Sequence, residues 1–525
     1  MTTASVEMAP RESAPEAVNK WLVAVAVALG ALLEVVDTSI VNVALTDMQN
    51  SLGATLSEVS WVVSSYAVAN VIILPLTAWL GDKFGKKRYF VFSLIAFTGA
   101  SVLCGMSTNL TTLIIARVLQ GLGGGGLLAK AQAILFETFP REEQAMAQGF
   151  FGAIVIAGPT IGPTLGGYIT TNIDWRWIFF VNVPVGIAAV MMCLAFLPAD
   201  DPKHLDRGGV DWIAIALLAI GLGSLQTVLE EGETEDWFSS SFIVTFFVAA
   251  ILGLVFFVVR TLRAKHPVVD LRVLRYRSVW AGSVLSIVIG IGLYGTMFAV
   301  PIYAQSILHL TAQQTGIVML PGALTSAFMM PIVARLTRWL DARVLLCVGG
   351  VILMIALLEL GKMSPQTGED DFFLPLIIRA GGTTCMFLPL SLATIGPVPK
   401  KDISSASGIY NLTRQLGGSI GVALLATILE SRQAFHRAVL VEKVGRGDPH
   451  VFERLRMMAS AFVAKGADVA SAKARALALL DGAVNLQAAV MSFNDTFYVT
   501  MALVLLTMPL VLLLGKGAGK VEMGH

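Results

Sequence analysis

The feature that most constrains this chain is the recurrence of apolar runs eighteen or more residues long. A run of that length, wound as a helix rising about 1.5 Å per residue, crosses the roughly 30 Å of a bilayer's hydrocarbon. Spans fall near 21–45, 59–80, 88–107, 111–137, 146–170 and 177–197, then 210–229 and 241–261. Six more fall near 278–305, 313–335, 342–361, 372–396, 403–429 and 494–515. Inside hydrocarbon every backbone N–H and C=O must be satisfied within the chain, so such segments are helical. The expected class is an all-α polytopic membrane protein with fourteen transmembrane helices and the lipid bilayer as its first partner. Only 14% of the residues are charged, against about 25% in soluble domains.

Lysine and arginine orient the spans. With the N-terminus on the cytoplasmic side, the segments predicted inside carry 22 of the 37 Lys+Arg residues, and the short outside loops carry two, Arg176 and Lys362. Four more, Arg117, Lys130, Arg379 and Arg414, fall within spans, and nine lie in 430–493. That last segment is long enough to escape the rule. Both termini are therefore expected in the cytoplasm and 430–493 outside. Its charged, Ala-rich stretch from Val451 to Leu480 suits surface helices near the outer headgroups, or a docking surface. The first twenty residues are polar, with Pro10 and Pro15, and show no apolar core of a cleavable signal.

Several function classes drop out. A net charge of +1 argues against a nucleic-acid partner. The four cysteines, Cys104, Cys193, Cys347 and Cys385, lie in apolar runs without ligand spacing and read as small hydrophobes. No histidine pairs with a serine or cysteine at motif spacing, so no catalytic or metal site is expected. The glycine run Gly123–Gly126 lies inside a span and follows no strand, so it is not a phosphate loop, and no Walker-type sequence exists. With no cofactor called for, an ion gradient is left as the energy source.

The chain repeats itself. Ala147-Gln148-Gly149 aligns with Ala406-Ser407-Gly408, and without a gap Gly158, Ile161, Gly162 and Leu165 meet Gly417, Ile420, Gly421 and Leu424. One span earlier, the run ending in Arg117 echoes the run ending in Arg379. Spans 1–6 thus correspond to spans 9–14, with two inserted between them. The expected layout is a tail at 1–20, a six-helix bundle at 21–197 and an insert of two helices with flanking loops at 198–277. A second six-helix bundle follows at 278–515 with the external loop 430–493, and then a tail at 516–525. Two homologous bundles around a mid-membrane site suit an alternating-access carrier.

Charges inside a span are costly and default to function. Glu34 and Asp37 share one helix face. Helical rise puts Asp37 about 6 Å and Arg117 about 10 Å outward of their span midpoints, so the two can meet. A carboxylate caught between burial and a guanidinium can take up and release a proton as access alternates. A static ion pair is the alternative, and Glu34, near the midplane, can equally face substrate. Lys130 lies about 9 Å inward of its midpoint, either snorkelling toward the cytoplasm or meeting an anionic substrate group. Arg379, at the outward end of span 12, reads as an anchor or a substrate contact.

Two further patterns concern motion. After span 2 comes Gly81-Asp82-Lys83-Phe84-Gly85-Lys86-Lys87-Arg88. Its glycines permit a tight turn, and Asp82 can latch onto a cation or a helix N-terminus across the bundle interface. The counterpart after span 10, Thr337-Arg338-Trp339-Leu340-Asp341, lacks the Gly-Asp core. In span 5, Gly158, Gly162 and Gly166 bare one helix face for close, sliding contact, while Pro159 and Pro163 permit bending.

Together with Leu33-Glu34-Val35-Val36-Asp37-Thr38-Ser39-Ile40-Val41-Asn42 in span 1, Arg117-Val118-Leu119-Gln120-Gly121 in span 4 and Trp175-Arg176-Trp177 through Asn182 opening span 6, these motifs make the chain resemble the major facilitator superfamily. The resemblance is to its fourteen-span drug:proton antiporter group of EmrB/QacA type, from about residue 21 to 430. Two departures are Thr46, where that group has proline, and Ala129-Lys130, where it is apolar. The resemblance implies the major facilitator fold, two six-helix bundles plus two inserted helices. It also implies export of amphipathic or aromatic drugs across the cytoplasmic membrane, coupled to H+ through Asp37, Arg117 and Glu34. A dedicated exporter of an anionic metabolite or fatty acid stands as the alternative, and a sensor or channel as a third. Glu34, Asn42, Gln120, Lys130 and Arg379 are the substrate-pathway candidates. Gly81, Asp82, Gly85, Lys86 and Arg88 form the latch. In a Gram-negative cell the resemblance implies a periplasmic adaptor and an outer-membrane channel as partners.

Overall fold

A computed structural model describes residues 19–200, 208–445 and 449–514. The two terminal tails expected from sequence lie almost wholly outside these residues. Among them, fourteen helical segments are long and apolar enough to cross a membrane. Span 1 is α1 (Lys20–Ile40), continued through a 3-10 turn into α2 (Leu45–Leu52). Span 2 is α3 (Leu56–Ile73) and α4 (Thr77–Phe84), joined by a turn that carries Pro75. Span 3 is α5 (Lys86–Gly105), and span 4 is α6 (Leu110–Gly124) followed by α7 (Leu127–Thr138). Span 5 is α8 (Arg141–Asn172), and span 6 is α9 (Trp177–Phe180) and α10 (Asn182–Phe196). The insert is α11 (Trp212–Glu231) and α12 (Ser241–Arg263). The second half comprises α13 (Arg277–Ser306), α14 (Ala312–Leu336), α15 (Ala342–Leu360), α16 (Phe373–Ile395), α17 (Ile403–Gly445), α18 (Pro449–Ala464) and α19 (Val469–Thr507).

The end of the molecule where α1 begins is the inner end below. Glycine sets how the helices pack. Gly158, Gly162 and Gly166 of α8 close on Val35, Ser39 and Ile40 of α1, and Gly417 and Gly421 of α17 close on Ile287 and Ile291 of α13. The repeat seen in sequence is thus a repeat of helix pairs. α8 stays one continuous helix through Pro159 and Pro163, although each ring deletes a backbone donor.

The halves meet along α8 and α14, where Gly149 faces Ala334, Gly152 faces Met330 and Gly316 faces Thr164. Near the inner end the core runs unbroken from one half to the other. Leu127, Ala131 and Phe151 share a cluster with Met330, Val333, Phe387 and Leu388.

The segment 430–493, expected as an external loop of surface helices, is helical, but mostly as an outward continuation of two spans. α17 is 43 residues long and α19 39, roughly twice what the hydrocarbon requires. Toward their outer ends they are tied by Arg432–Asp495 at 2.5 Å and Arg437–Asp481 at 2.9 Å.

Candidate functional site

The Asp37 carboxylate is fully buried between α1, α6 and α10. Arg117 Nη1 donates to Asp37 Oδ2 at 2.6 Å, while Gln120 Nε2 and Asn182 Nδ2 donate to Oδ1 at 2.9 and 2.8 Å. Helix geometry brings these groups together, since Arg117 and Gln120 are one turn apart on α6 and share a face. Arg117 also donates from Nη1 to Gln120 Oε1 at 2.7 Å and from Nε to the Val62 carbonyl at 2.9 Å, and it stacks 4.2 Å from the Tyr66 ring. Asn182 continues to Ser101 Oγ at 3.1 Å. A buried ion pair needs such extra bonds to offset its desolvation. The sequence motif contained Asn182 without a role, and the structure makes it the third donor to Asp37.

Glu34, one turn inward, is buried and separate from this network. Its Oε1 accepts from Asn70 Nδ2 at 2.9 Å and its Oε2 from the Leu128 backbone N–H at 2.7 Å. That N–H is exposed because span 4 is broken. The glycine run ends α6 at Gly124, α7 starts at Leu127, and the second amide of the new helix has no preceding turn to bond. Gly121 and Gly125 sit hard against the α3 backbone around Tyr66 and Asn70, where a Cβ would not fit. The carboxylate thus caps the positive end of a half-helix. Arg414 of α17, bonded to Asn411 at 2.9 Å, lies close enough to act on Glu34 electrostatically from the other half.

From that break, α7 runs inward as a second, polar seam between the bundles, with Leu127 through Phe136 all buried. Gln132 Nε2 donates to Ser391 Oγ of α16 at 2.9 Å, and its Oε1 accepts from Asn411 Nδ2 of α17 at 2.6 Å. Ser407 Oγ donates to the Ala129 carbonyl at 2.9 Å. Lys130 Nζ donates to Ser404 Oγ at 3.3 Å. Lys130 therefore belongs to this inner seam, neither snorkelling freely nor lining the central space. Gln132, Ser391, Ser407 and Asn411 went unremarked in the sequence, where the one signal was a neutral polar residue in an apolar span.

The latch differs in detail from expectation. α4 continues to Phe84, so Gly81 and Asp82 lie in its last turn and only Gly85, at φ +99°, makes the reversal. Gly81 is placed for another reason, because a Cβ there would crowd the Lys130 ammonium, the movable tip of its side chain. Asp82 is exposed and within electrostatic reach of Lys130. Lys86 pairs with Glu137 at 2.5 Å. The backbone N–H groups of Lys87 and Arg88, at the start of α5, donate to Asp200 at 2.9 and 3.0 Å. Lys87 Nζ in turn donates to the Leu194 and Leu197 carbonyls ending α10, each at 2.8 Å. Asp200 is a further capping residue that the sequence did not single out.

Of the remaining candidates, Asn42 is exposed at the outer end of α1 and reaches back to Thr38 O at 3.5 Å, apart from the Asp37 cluster. Arg379 is buried at mid-depth in the wall of a narrow cavity of about 10 Å³, with Ser326 and Thr383 beside it and Ile156 of the first half closing it. Ser326 Oγ has no hydrogen-bond partner among the described residues. On the insert, two consecutive glutamates reach opposite halves. Glu231 accepts from Ser64 of α3 at 2.6 Å, and Glu230 shares Gln226 with Ser419 of α17, each bond 2.7 Å.

The family described as Major Facilitator Superfamily matches residues 27–422. "Multidrug export protein EmrB" of Escherichia coli (strain K12) is 34% identical over 430 residues, 82% of this chain and 84% of that one. "Fatty acid resistance protein FarB" of Neisseria gonorrhoeae is 28% identical over 93% of this chain and 95% of its own. Among solved structures, the human organic anion transporter MFSD10 superposes with a TM-score of 0.55 at 13% identity, over 92% of this chain and 99% of that one.

Proposed function

The chain belongs to the major facilitator superfamily of membrane transporters, and from that premise we propose that it is a proton-coupled antiporter exporting amphipathic or aromatic compounds across the cytoplasmic membrane. It is a carrier and not an enzyme. The family's exporters, with EmrB at 34% identity, support the direction and the drug-like cargo. The inward bias of lysine and arginine supports cytoplasmic termini. On that orientation α17–α19 project to the far side, where in a Gram-negative cell an adaptor and an outer-membrane channel would complete the path. The proton gradient replaces any cofactor.

The observation that carries the coupling is the seat of Glu34 on the N-terminus of α7. An ionised carboxylate at a helix N-terminus is worth up to about 2 kcal/mol where partly buried. A proton arriving at Glu34 cancels that attraction and the pull of Arg414 together. The helix released is the one whose residues 129–132 stitch the inner seam. Proton occupancy at Glu34 thereby loosens the inner gate. Asp37 and Arg117, one turn outward, serve as the second ionisable pair of the route. Glu34→Gln keeps the side chain's shape and drops its charge. In proteoliposomes this variant should lose transport driven by a pH gradient by at least about tenfold while retaining substrate counterflow. Undiminished pH-driven transport by Glu34→Gln would remove Glu34 from the coupling.

A second reading, export of an anionic metabolite or fatty acid, is favoured by the Arg379–Ser326 cavity at the bundle interface. It expects anionic amphiphiles to lose transport more than cationic ones in Arg379→Met.

A further inference from the structure

The two inserted helices form a groove of their own, lined by residues 211–217 and 256–264 alone. At Gly221 and Gly253 the backbones of α11 and α12 touch, and a Cβ on Gly253 would stand 2.7 Å from Gly221 N. Toward the inner end the helices part around a groove of about 520 Å³. Arg260 and Arg263 lie seven and ten residues beyond Gly253, about 10 and 15 Å along the helix. The walls of the groove are Ile213 and Leu217 on α11 and Phe256 and Val259 on α12. Ile213 and Phe256 are each 57% exposed, and α12 is the least buried of the fourteen spans, so this wedge faces hydrocarbon.

The inner end of the groove is charged. Asp211 is held by Arg260, whose Nε lies 2.9 Å from each carboxylate oxygen, and it also caps α11 through Ala214 N at 3.0 Å. Among the described residues, the Arg260 side chain bonds only through Nε, which leaves its terminal nitrogens facing the groove rim, and the Arg263 side chain makes no hydrogen bond. Two guanidiniums against one engaged carboxylate leave the rim cationic. An apolar wedge in a bilayer excludes water and needs an acyl chain to fill it. Guanidiniums at headgroup depth offer forked donors that match phosphate oxygens.

We propose that this groove is a phospholipid-binding site, with one acyl chain between α11 and α12 and the phosphate of an anionic headgroup on Arg260 and Arg263. The Asp211–Arg260 pair fixes the spacing of the two helix ends, and Arg263 supplies the discriminating charge. A zwitterionic lipid fills the wedge equally well but carries a compensating cation, so the site favours net negative headgroups.

The test is native mass spectrometry of the full-length protein in mild detergent, titrated with phosphatidylglycerol, phosphatidylcholine or soluble glycerol phosphate. The wild type should retain one phosphatidylglycerol in preference to phosphatidylcholine and should not bind glycerol phosphate. Arg263→Ala, on an exposed side chain, should weaken phosphatidylglycerol by about tenfold and leave phosphatidylcholine unchanged. Arg263→Lys should retain part of the preference, and Val259→Trp, which fills the groove, should weaken both lipids. Equal retention of the two lipids by the wild type, or an unchanged preference in Arg263→Ala, overturns the proposal. Binding of glycerol phosphate as tightly as the lipid overturns it too, by making this a plain anion site.

Discussion

Arg117 and Arg379 occupy corresponding places in the two halves, and their surroundings differ. In the first half Val35 and Ser39 of α1 receive Gly158 and Gly162 of α8, and in the second Ile287 and Ile291 of α13 receive Gly417 and Gly421 of α17. On that register Asp37, between the first pair, answers to Ile289, between the second. Arg117 therefore meets a carboxylate. Arg379 stands in the wall of the interface cavity beside Ser326 and Thr383. What persisted between the halves is close backbone approach, which tolerates no side chain. What diverged is charge, which a scaffold accepts wherever a partner or a ligand offsets it. One half thus carries a buried ion pair, and the other a buried arginine in the wall of the cavity between them.

The largest expected effect breaks that asymmetry directly. Arg117→Leu strands the Asp37 charge in a site closed to water, and removing one member of a buried pair costs about 3–5 kcal/mol. Arg379→Leu removes a buried guanidinium from the cavity wall and should cost about 1–3 kcal/mol, the range for lost hydrogen bonds of a buried polar group. Thermal unfolding of both variants in nanodiscs compares them. Equal losses would mean that the two arginines are held alike and that the contrast drawn from Asp37 and Ile289 is empty.

The ion pair was legible in the sequence because a charge in hydrocarbon demands a partner and helical rise put the two at similar depth. The fourteen helices were legible for the same kind of reason, length and apolarity. The seat of Glu34 was not. Its partner is a main-chain N–H, which leaves no mark on residue identity, and a glycine run in an apolar span reads equally as close packing or as a helix break. Gln132 and Asn411 are neutral and 279 residues apart, and nothing in either local pattern names the other. Gly81 was misassigned to a turn because its true neighbour, Lys130, comes from another span. The outward reach of α17 and α19 was hidden by charge, which marks where a helix leaves the membrane but not whether it stops.

The next effect in size concerns the seam where the halves join. Gln132→Leu leaves Asn411 Nδ2 and Ser391 Oγ without their cross-bundle partner, a change of about 1–3 kcal/mol against the closed inner end. Spin labels at the exposed positions Glu142 and Lys401 should show a larger share of long distances in this variant than in the wild type. An unchanged distance distribution would mean that apolar packing alone holds the inner end shut.

The smallest effect contrasts the latch with its decayed counterpart. A methyl at Gly81 meets the Lys130 ammonium, the movable tip of a long side chain, so Gly81→Ala should cost about 1 kcal/mol or somewhat more as overpacking. It should also slow transport by pushing that amine off Ser404. Trp339, in the corresponding loop of the second half, is 83% exposed, and Trp339→Ala should fall within about 0.5 kcal/mol of the wild type. The decisive variant is the double one. If crowding at Lys130 is the cause, Lys130→Met relieves it, and Gly81→Ala with Lys130→Met costs less than the two single changes added together. Strict additivity of the pair in transport rate and in melting temperature would show that Gly81 is needed for its own backbone, as a turn residue is, and would return the two latch regions to the same footing.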